Sequence, residues 1–279
     1  MSDWEQEILD GKRFEFGANW SAFLDTVDES RIEQSRRGLR ASLGLDSLEG
    51  LTFLDVGCGS GLHSLAARSM GAKVHSFDYD PKSVACAEEL RRRYFPDDPD
   101  WKIERGSALD ADYLEGLGAH DIVYSWGVLH HTGDMWRALE LVERNVAEGG
   151  RLFLALYNDQ GMPSRVWTQV KRAYVASPKP LKLAITLMSG AYFESRGVAA
   201  RVLRRENPLP FEKWAQKKQD RGMTVWYDLV DWVGGYPFEV SKPDAIFEHF
   251  KAKGYRLEHL RTCQGGLGCN EYVFIRTPR

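Results

Sequence analysis

A glycine-rich segment, LDVGCGSG at residues 54–61, constrains the fold of this chain more than any other part of the sequence. It follows an apolar stretch typical of a buried strand and precedes a segment with apolar residues at helical spacing. A strand, a glycine turn and a helix in this order begin a βαβ unit, in which ligands bind at the turn. The segment therefore predicts a parallel α/β sheet with a binding site at its edge.

Strand and helix patterns continue to alternate up to residue 157. Four more strand-like segments follow the first, within residues 73–80, 101–110, 120–132 and 151–159. Pro81 suits the first turn of a helix, and Asp134 suits the N-cap of another helix that we expect to end just before Gly149. With two strands near the C-terminus, the pattern predicts a doubly wound, mostly parallel, seven-stranded sheet.

The alternation stops between residues 158 and 240, where short helical patterns are separated by proline-containing segments. We therefore divide the chain into four parts. They are an N-terminal helical cap (1–50), an α/β core (51–157), a helical insertion or lid (158–240) and the end of the core (241–279), which holds a helix and an antiparallel hairpin.

Composition and charge argue against a membrane-spanning, secreted or nucleic-acid-binding protein. The net charge of the 279 residues is −3, which gives no global attraction to nucleic acid or anionic membranes. The start of the chain lacks the apolar stretch of a signal peptide, and the longest apolar run, roughly 13 residues, is too short for a bilayer. The four cysteines form no CxxC pair. We expect a cytoplasmic chain without a membrane span and without a nucleic-acid partner.

The glycine loop does not match the common phosphate-binding motifs. Position 62, where a dinucleotide fingerprint has its third glycine, is leucine, and no Lys-Ser or Lys-Thr follows for a P-loop. Asp55, just before the turn, would repel a pyrophosphate but can pair with an ammonium group. Asp78, 21 residues after Gly57, suits the hydroxyls of a ribose, and Asp110 suits an adenine amino group. Ammonium, ribose and adenine together describe S-adenosylmethionine (SAM).

The segments LDVGCGSG, FDYD, GSALD and SWGVLHHTGDMWRAL are similar to successive motifs of class I SAM-dependent methyltransferases, and among them resemble the small-molecule enzymes of quinone biosynthesis. The resemblance covers about residues 50–157 and extends to the final strands. It implies that SAM is the cofactor. The residues assigned to it are Asp55, Gly57, Cys58, Gly59, Gly61, Asp78, Tyr79, Ser107, Ala108, Asp110 and Trp126. Taken singly, the loop could be a structural turn, and the acids could be solvated or cap helices.

The acceptor is expected beyond the carboxyl ends of the strands, where ligands of open parallel sheets bind. In-line methyl transfer needs an aligned acceptor, exclusion of water and, for an OH or NH, removal of a proton. His130, His131 and Tyr157 are the catalytic candidates, although a histidine pair can also simply pack. No metal-ligand spacing is visible, so no metal is expected. The predicted substrate-binding residues are Asn158, Trp226, Tyr227, Trp232, Tyr236, Asn270 and Glu271.

Residues 161–222 carry 13 Lys and Arg against 4 Asp and Glu. This excess is typical of a solvated helical face, and it would also suit an electropositive lid over an anionic acceptor. The aromatic residues that follow could form a water-excluding wall of such a lid. We expect residues 158–240 to be more mobile without ligand than the core.

The sequence thus predicts a SAM-dependent methyltransferase that acts on a small-molecule acceptor, anionic or aromatic. A non-catalytic SAM-binding or partner-binding module on the same fold is the alternative. An RNA methyltransferase is a weaker alternative, because the chain is acidic overall and no N/D-P-P-Y/F tetrapeptide follows the fourth strand.

Overall fold

The computed structural model describes residues 3–17, 24, 27–205, 207 and 225–278, without the side chains of residues 3, 200, 225 and 227. The strands are β1 (Thr52–Val56), β2 (Lys73–Asp78), β3 (Trp101–Arg105), β4 (His120–Trp126), β5 (Val146–Tyr157), β6 (Tyr255–Arg261) and β7 (Cys269–Arg276). The helices are α1 (Asp3–Leu9), α2 (Glu29–Leu43), α3 (Leu62–Ser69), α4 (Pro81–Tyr94), α5 (Ala111–Leu117), α6 (Met135–Val142), α7 (Met162–Ala176), α8 (Lys179–Leu203), α9 (Val225–Gly234) and α10 (Pro243–Ala252).

The chain divides into two compact units. The α/β unit comprises residues 16–164 and 238–279, and the helical unit comprises residues 1–15 and 165–237. The N-terminal 50 residues, expected to form one cap, are therefore shared between the units. Helix α2 packs against α3 in the α/β unit, because its buried side chains, Ile32, Leu39 and Leu43 among them, belong to the apolar cluster on one face of the sheet.

The α/β unit contains one seven-stranded sheet in the order β3-β2-β1-β4-β5-β7-β6. Strands β1 to β5 are parallel, and β7 lies antiparallel between β5 and β6. The predicted fold class is confirmed. Asp55 of β1 is in register with Ser76 of β2 and Tyr124 of β4, so the loops after these strands meet at one edge of the sheet.

The sheet is covered on both faces, as a doubly wound fold requires. Successive residues of β1 face opposite sides: Phe53 belongs to one buried apolar cluster, and Leu54 and Val56 belong to the other. These residues are completely buried. Burial of one such side chain stabilises a fold by about 1.5–3 kcal/mol, so the two clusters hold the carboxyl edge in place.

Helix boundaries agree with the sequence signals at α4 and at the start of α6. Pro81 occupies the first turn of α4, and the Asp134 carboxylate caps α6 by accepting the Arg137 N–H at 3.2 Å. The expected end of α6 is wrong, because the helix stops at Val142 and a 3-10 turn follows. Val146 instead pairs with His120 as the first residue of β5, and a left-handed Gly149 (φ 73°) lies within that strand.

The helical unit has a small apolar core of its own, formed by Tyr174, Val175 and Val233 with partly buried neighbours. Lys171 is fully buried there, and its ammonium group donates to the backbone carbonyl of Trp232. Burial lowers the pKa of Lys171 to about 7. Along α8, large apolar side chains are exposed, with Met188 at 73%. Among the helices of the described residues, none is long and apolar enough to cross a membrane.

Candidate functional site

The glycine loop connects β1 to α3 through three left-handed residues. Gly57, Gly59 and Gly61 have φ angles of 76°, 53° and 81°, which glycine adopts without a steric penalty. A side chain at Gly57 would place its Cβ 2.3 Å from a methyl group of Val128. The N–H groups of Gly57 and Cys58 both donate to the Phe77 carbonyl, at 2.9 and 3.0 Å. The loop is thus tied to β2 and exposes bare backbone at the sheet edge.

Asp78, the last residue of β2, closes this loop. Its two carboxylate oxygens accept the N–H of Gly59 and the N–H of Asp80, each at 2.9 Å. Burial, with a smaller contribution from the neighbouring Asp80, raises the pKa of Asp78 to about 6. Each carboxylate oxygen can accept more than one hydrogen bond, so the side chain keeps acceptor sites for ligand hydroxyls.

Asp55 lies at the base of the loop and is 2% exposed. Its carboxylate accepts a hydrogen bond from the Ser64 hydroxyl on the first turn of α3. Burial raises the pKa of Asp55 to about 7, and the nearby charge of Asp78 adds to this. A buried carboxylate without a cation is costly, so an ammonium group of a ligand would gain from binding beside it.

Four further residues predicted for the cofactor lie after β2 and β3, namely Tyr79, Ser107, Ala108 and Asp110. The Arg105 guanidinium stacks over the ring of Tyr79, 5.6 Å from its centroid. The Ser107 hydroxyl accepts the Leu109 N–H, and Ala108 is buried in the core. Asp110 caps α5 by accepting the Tyr113 N–H at 3.1 Å. The capping role of Asp110 accounts for its position, and its contact with adenine stays a prediction.

Trp126, at the end of β4, is a partly exposed ring that is held in place. It is 42% exposed, and its indole N–H donates to Glu271 of β7 at 3.1 Å. On one side it stacks with His63, with ring centroids 6.4 Å apart and planes at 26°. Burial lowers the pKa of His63 to about 4, so this ring is neutral near pH 7. Because His63 follows Gly61 by two residues, the indole lies beside the glycine loop.

The three catalytic candidates form one aromatic cluster. The ring centroid of Tyr157 lies 4.0 Å from that of His130 and 5.5 Å from that of His131. His130 is completely buried, and its Nδ1 accepts the Tyr157 backbone N–H at 3.3 Å. Phe16 and Phe238 pack on the outside of the cluster. The structure therefore brings the predicted residues together, and it gives His130 a structural contact.

Asn158 and Asn270 bond to each other. The Asn270 amide donates to the Asn158 side-chain oxygen at 3.1 Å, and the Asn270 oxygen accepts the Cys263 N–H at 3.1 Å. Asn270 is 1% exposed. These contacts join the end of β5 to the β6–β7 hairpin, and a direct role of either residue in binding a substrate stays a prediction.

Four of the predicted substrate residues belong to the helical unit, namely Trp226, Tyr227, Trp232 and Tyr236. Trp226 is 42% exposed, and the side chain of Tyr227 lies outside the described residues. Trp232 packs edge-on against Trp167, with ring centroids 6.0 Å apart, within the core of that unit. The carbonyl of Tyr236 accepts the Phe14 N–H at 2.8 Å. Packing inside the unit thus accounts for the position of the Trp232 side chain. Substrate binding by these four residues stays a prediction.

Sequence reasoning missed the residues that support Asp55. Ser64, Ser76 and Trp101 are buried and connect to its carboxylate through hydrogen bonds. Ser64 lies on the buried face of α3, and Ser76 is beside Asp55 in the sheet register. Serines inside otherwise apolar segments are the signal that could have identified them. Among the described residues, no group of three or more His, Cys, Asp or Glu is arranged to hold a metal ion.

These residues fit SAM. The left-handed glycines shape the turn, the buried Asp55 carboxylate suits the ammonium of the methionine end, and Asp78 retains acceptor capacity for ribose hydroxyls.

Comparison with known proteins identifies relatives. Residues 47–219 match a family model described as "Methyltransferase domain". A tRNA U34 carboxymethyltransferase of Klebsiella pneumoniae is 31% identical over 201 residues, which are 69% of this chain and 58% of that protein. The chain therefore spans less than two thirds of the length of this relative.

Solved structures share the fold. An O-methyltransferase family protein from Burkholderia thailandensis has a TM-score of 0.55 and 15% identity, with 98% of this chain and 67% of that chain covered. A structure of the Haloferax volcanii Trm112 methyltransferase activator in complex with a methyltransferase gives a TM-score of 0.53 and 14% identity, with 96% and 98% covered.

Proposed function

The chain belongs to the methyltransferase-domain family and has the fold of a class I SAM-dependent methyltransferase, and from this premise we propose that it transfers the methyl group of SAM to a planar small-molecule acceptor at the carboxyl ends of β4 and β5. The observation that carries the proposal is the arrangement of Asp55, Gly59 and Asp78 around one loop.

The residues in and beside this loop bind different parts of the cofactor. SAM supplies a methyl group on a positively charged sulfur. The Asp55 carboxylate pairs with the ammonium group, and Asp78 accepts hydrogen bonds from ribose hydroxyls while it holds the loop through the Gly59 N–H. The left-handed glycines form the turn, because a Cβ at Gly57 or Gly61 would overlap Val128 or Ala87.

Although the sequence assigned Trp126 to the cofactor, we propose that its ring receives a planar acceptor. An indole ring that is 42% exposed and fixed by both His63 and Glu271 offers a rigid stacking face next to the loop. Stacking of flat rings on such a face contributes about 0.5–1.5 kcal/mol beyond the area buried. Aromatic and quinol-type acceptors have this shape.

The aromatic cluster at the end of β5 supplies the water-excluding wall and the candidate base. Because Nδ1 of His130 accepts a backbone N–H, that ring orients Tyr157. His131 is then the histidine we propose to take a proton from an acceptor hydroxyl. The variant H131N should lower kcat and remove the acid limb of the pH profile, while the affinity for SAM stays the same.

The experiment is calorimetry with SAM and S-adenosylhomocysteine (SAH), followed by transfer of label from [methyl-14C]SAM to phenolic, quinol and carboxylate acceptors. We expect micromolar or tighter binding and label in an aromatic product. Binding without transfer to any acceptor would support the non-catalytic module instead, and the absence of binding would overturn the proposal.

A second candidate acceptor is a tRNA base. It is favoured by the relative named tRNA U34 carboxymethyltransferase, and a flat uracil ring could stack on Trp126 in the same way. The expectation that no nucleic acid binds is therefore tested directly. Total tRNA is added to the same assay, and nucleosides are analysed by mass spectrometry for an added methyl group. Modified uridine would favour this candidate over the small-molecule acceptor.

A further inference from the structure

A line of buried hydrogen bonds runs from β3 to Asp55. The Trp101 indole N–H donates to the Ser76 hydroxyl at 3.0 Å, Ser76 donates to the Ser64 hydroxyl at 2.8 Å, and Ser64 donates to Oδ2 of Asp55. Trp101, Ser76 and Ser64 are each 0% exposed. We call these three residues the donor chain.

The hydrogen bonds of the donor chain run toward Asp55. An indole nitrogen can only donate, so the Ser76 oxygen must accept from it. Ser76 donates its proton to Ser64, and Ser64 donates its own to Asp55. The carboxylate is therefore the acceptor at the end of the chain, and this arrangement favours its ionised form.

The surroundings of Asp55 otherwise oppose that form. The titratable groups that face Asp55 are Asp78 at the end of β2, the Cys58 thiol in the loop and the Tyr124 hydroxyl on β4. None of these groups is a cation, and burial disfavours a charge at this position. The Ser64 hydroxyl is the side-chain donor that counteracts both effects.

We propose that Ser64, Ser76 and Trp101 are positioning residues, which orient the Asp55 carboxylate and keep it ionised to receive the ammonium group of SAM. The proposal rests on the proposed function, because it names the same cofactor. It adds residues that contact no ligand themselves and that come from three elements, α3, β2 and β3.

The test measures SAH affinity by calorimetry between pH 6 and pH 8.5. Because the ammonium pairs with ionised Asp55, affinity falls as pH drops through the pKa of that carboxyl. The variant S64A should weaken binding about tenfold at pH 7, the loss expected for a hydrogen bond to a charged group, and should move the fall in affinity to higher pH by about one unit.

Two further substitutions act farther from the ligand. W101F removes the indole N–H and replaces the bicyclic ring with a smaller one, and S76A removes the middle hydroxyl, so each should shift the pH dependence in the same direction by a smaller, roughly threefold, effect at pH 7. S76T keeps a hydroxyl in a strand and should restore near-normal affinity. S35A is the matched control, because Ser35 is a buried serine of α2 without a hydrogen-bond partner among the described residues.

The outcomes separate the two ideas. If wild-type protein does not bind SAH, the proposed function and this inference both fail. If it binds, and S64A and W101F lower only the melting temperature while affinity and its pH dependence stay as in wild type, the donor chain is merely structural and the inference alone is overturned. A carboxyl 13C titration of Asp55 in the ligand-free protein gives a second reading, in which S64A should raise its pKa.

Discussion

Two halves of the same sheet edge are built from contacts of very different sequence separation. Around β1 and β2, Ser64 reaches Asp55 across 9 residues and Gly59 reaches Asp78 across 19. Around β4, β5 and β7, Trp126 reaches Glu271 across 145 residues. We call these the cofactor half and the acceptor half.

The difference also concerns charge. The cofactor half contains two carboxylates whose pKa values are raised mainly by burial, and neither forms an ion pair with another described residue. In the acceptor half, Glu271 is bonded to Trp126 and lies 3.7 Å from Arg261. A site with buried carboxylates that have no cationic partner favours a cationic ligand. A site whose carboxylate already has a cationic partner selects its ligand mainly by shape.

The largest effect should come from the cofactor loop. G59V places a β-branched side chain at φ 53°, where backbone strain costs about 1–3 kcal/mol. The valine side chain would also occupy the space in which we expect the ligand to contact the backbone of the loop. SAH binding should fall more than about 100-fold by calorimetry, while circular dichroism still shows a folded protein. G116A, in α5 where an added Cβ meets no atom within 4 Å, is the control. A folded G59V protein with normal affinity would contradict the assignment of the loop.

The next effect concerns Asp78. D78A removes the acceptor proposed for the ribose and the contact to the Gly59 N–H. Loss of a hydrogen bond to a charged group costs about 1.5–3 kcal/mol, so affinity for SAH should drop roughly 10- to 150-fold. Asp112, an exposed acid of α5, provides the control variant D112A. Equal affinity of D78A and wild type would remove Asp78 from the cofactor half.

The next substitution, D55N, should increase the stability of the ligand-free protein, whereas the two preceding substitutions lower its affinity for SAH. Burial raises the pKa of Asp55 from 3.8 to about 7, so folding takes up a proton in this range and stability falls as pH rises through it. D55N removes the buried charge and should stabilise the ligand-free protein by about 1–2 kcal/mol at pH 8, less than the roughly 4 kcal/mol of a full three-unit shift, because the bond from Ser64 weakens. At pH 4 the gain should vanish. Urea unfolding at both pH values measures it, and an equal gain at both would contradict the argument.

The cofactor half was predictable because its signals are local. The glycine spacing and the acid before it specify a turn, and Asp78 follows at the distance of one βαβ unit. The fold followed from the same alternation. The donor chain was harder to predict. Serines inside apolar segments mark Ser64 and Ser76 as buried but do not show their partners, and Trp101 becomes a partner only through the pairing of β2 with β3.

The misplaced end of α6 has a comparable cause. The residues after Val142 continue a helical pattern, but Val146 pairs with β4 and the Asn145 amide donates to the carbonyls of Leu114 and Gly118, both at 2.7 Å. These contacts cross more than 20 residues of sequence. Tertiary pairing therefore overrides the local preference for helix.

The smallest predicted effect tests the acceptor half. If Trp126 is held by Glu271, the substitutions W126F and E271A should not have additive effects, because each removes the same hydrogen bond. The indole is 42% exposed, so water competes for this bond and the coupling energy should be only about 0.5–1 kcal/mol. Urea unfolding of wild type, both single variants and the double variant measures this coupling energy.

SAH affinity should change less than about threefold in the three variants, since the bond lies in the acceptor half. A coupling energy near zero would show that the indole is not fixed, and the stacking face proposed for a planar acceptor would lose its support. A large loss of SAH affinity in W126F would instead assign Trp126 to the cofactor half.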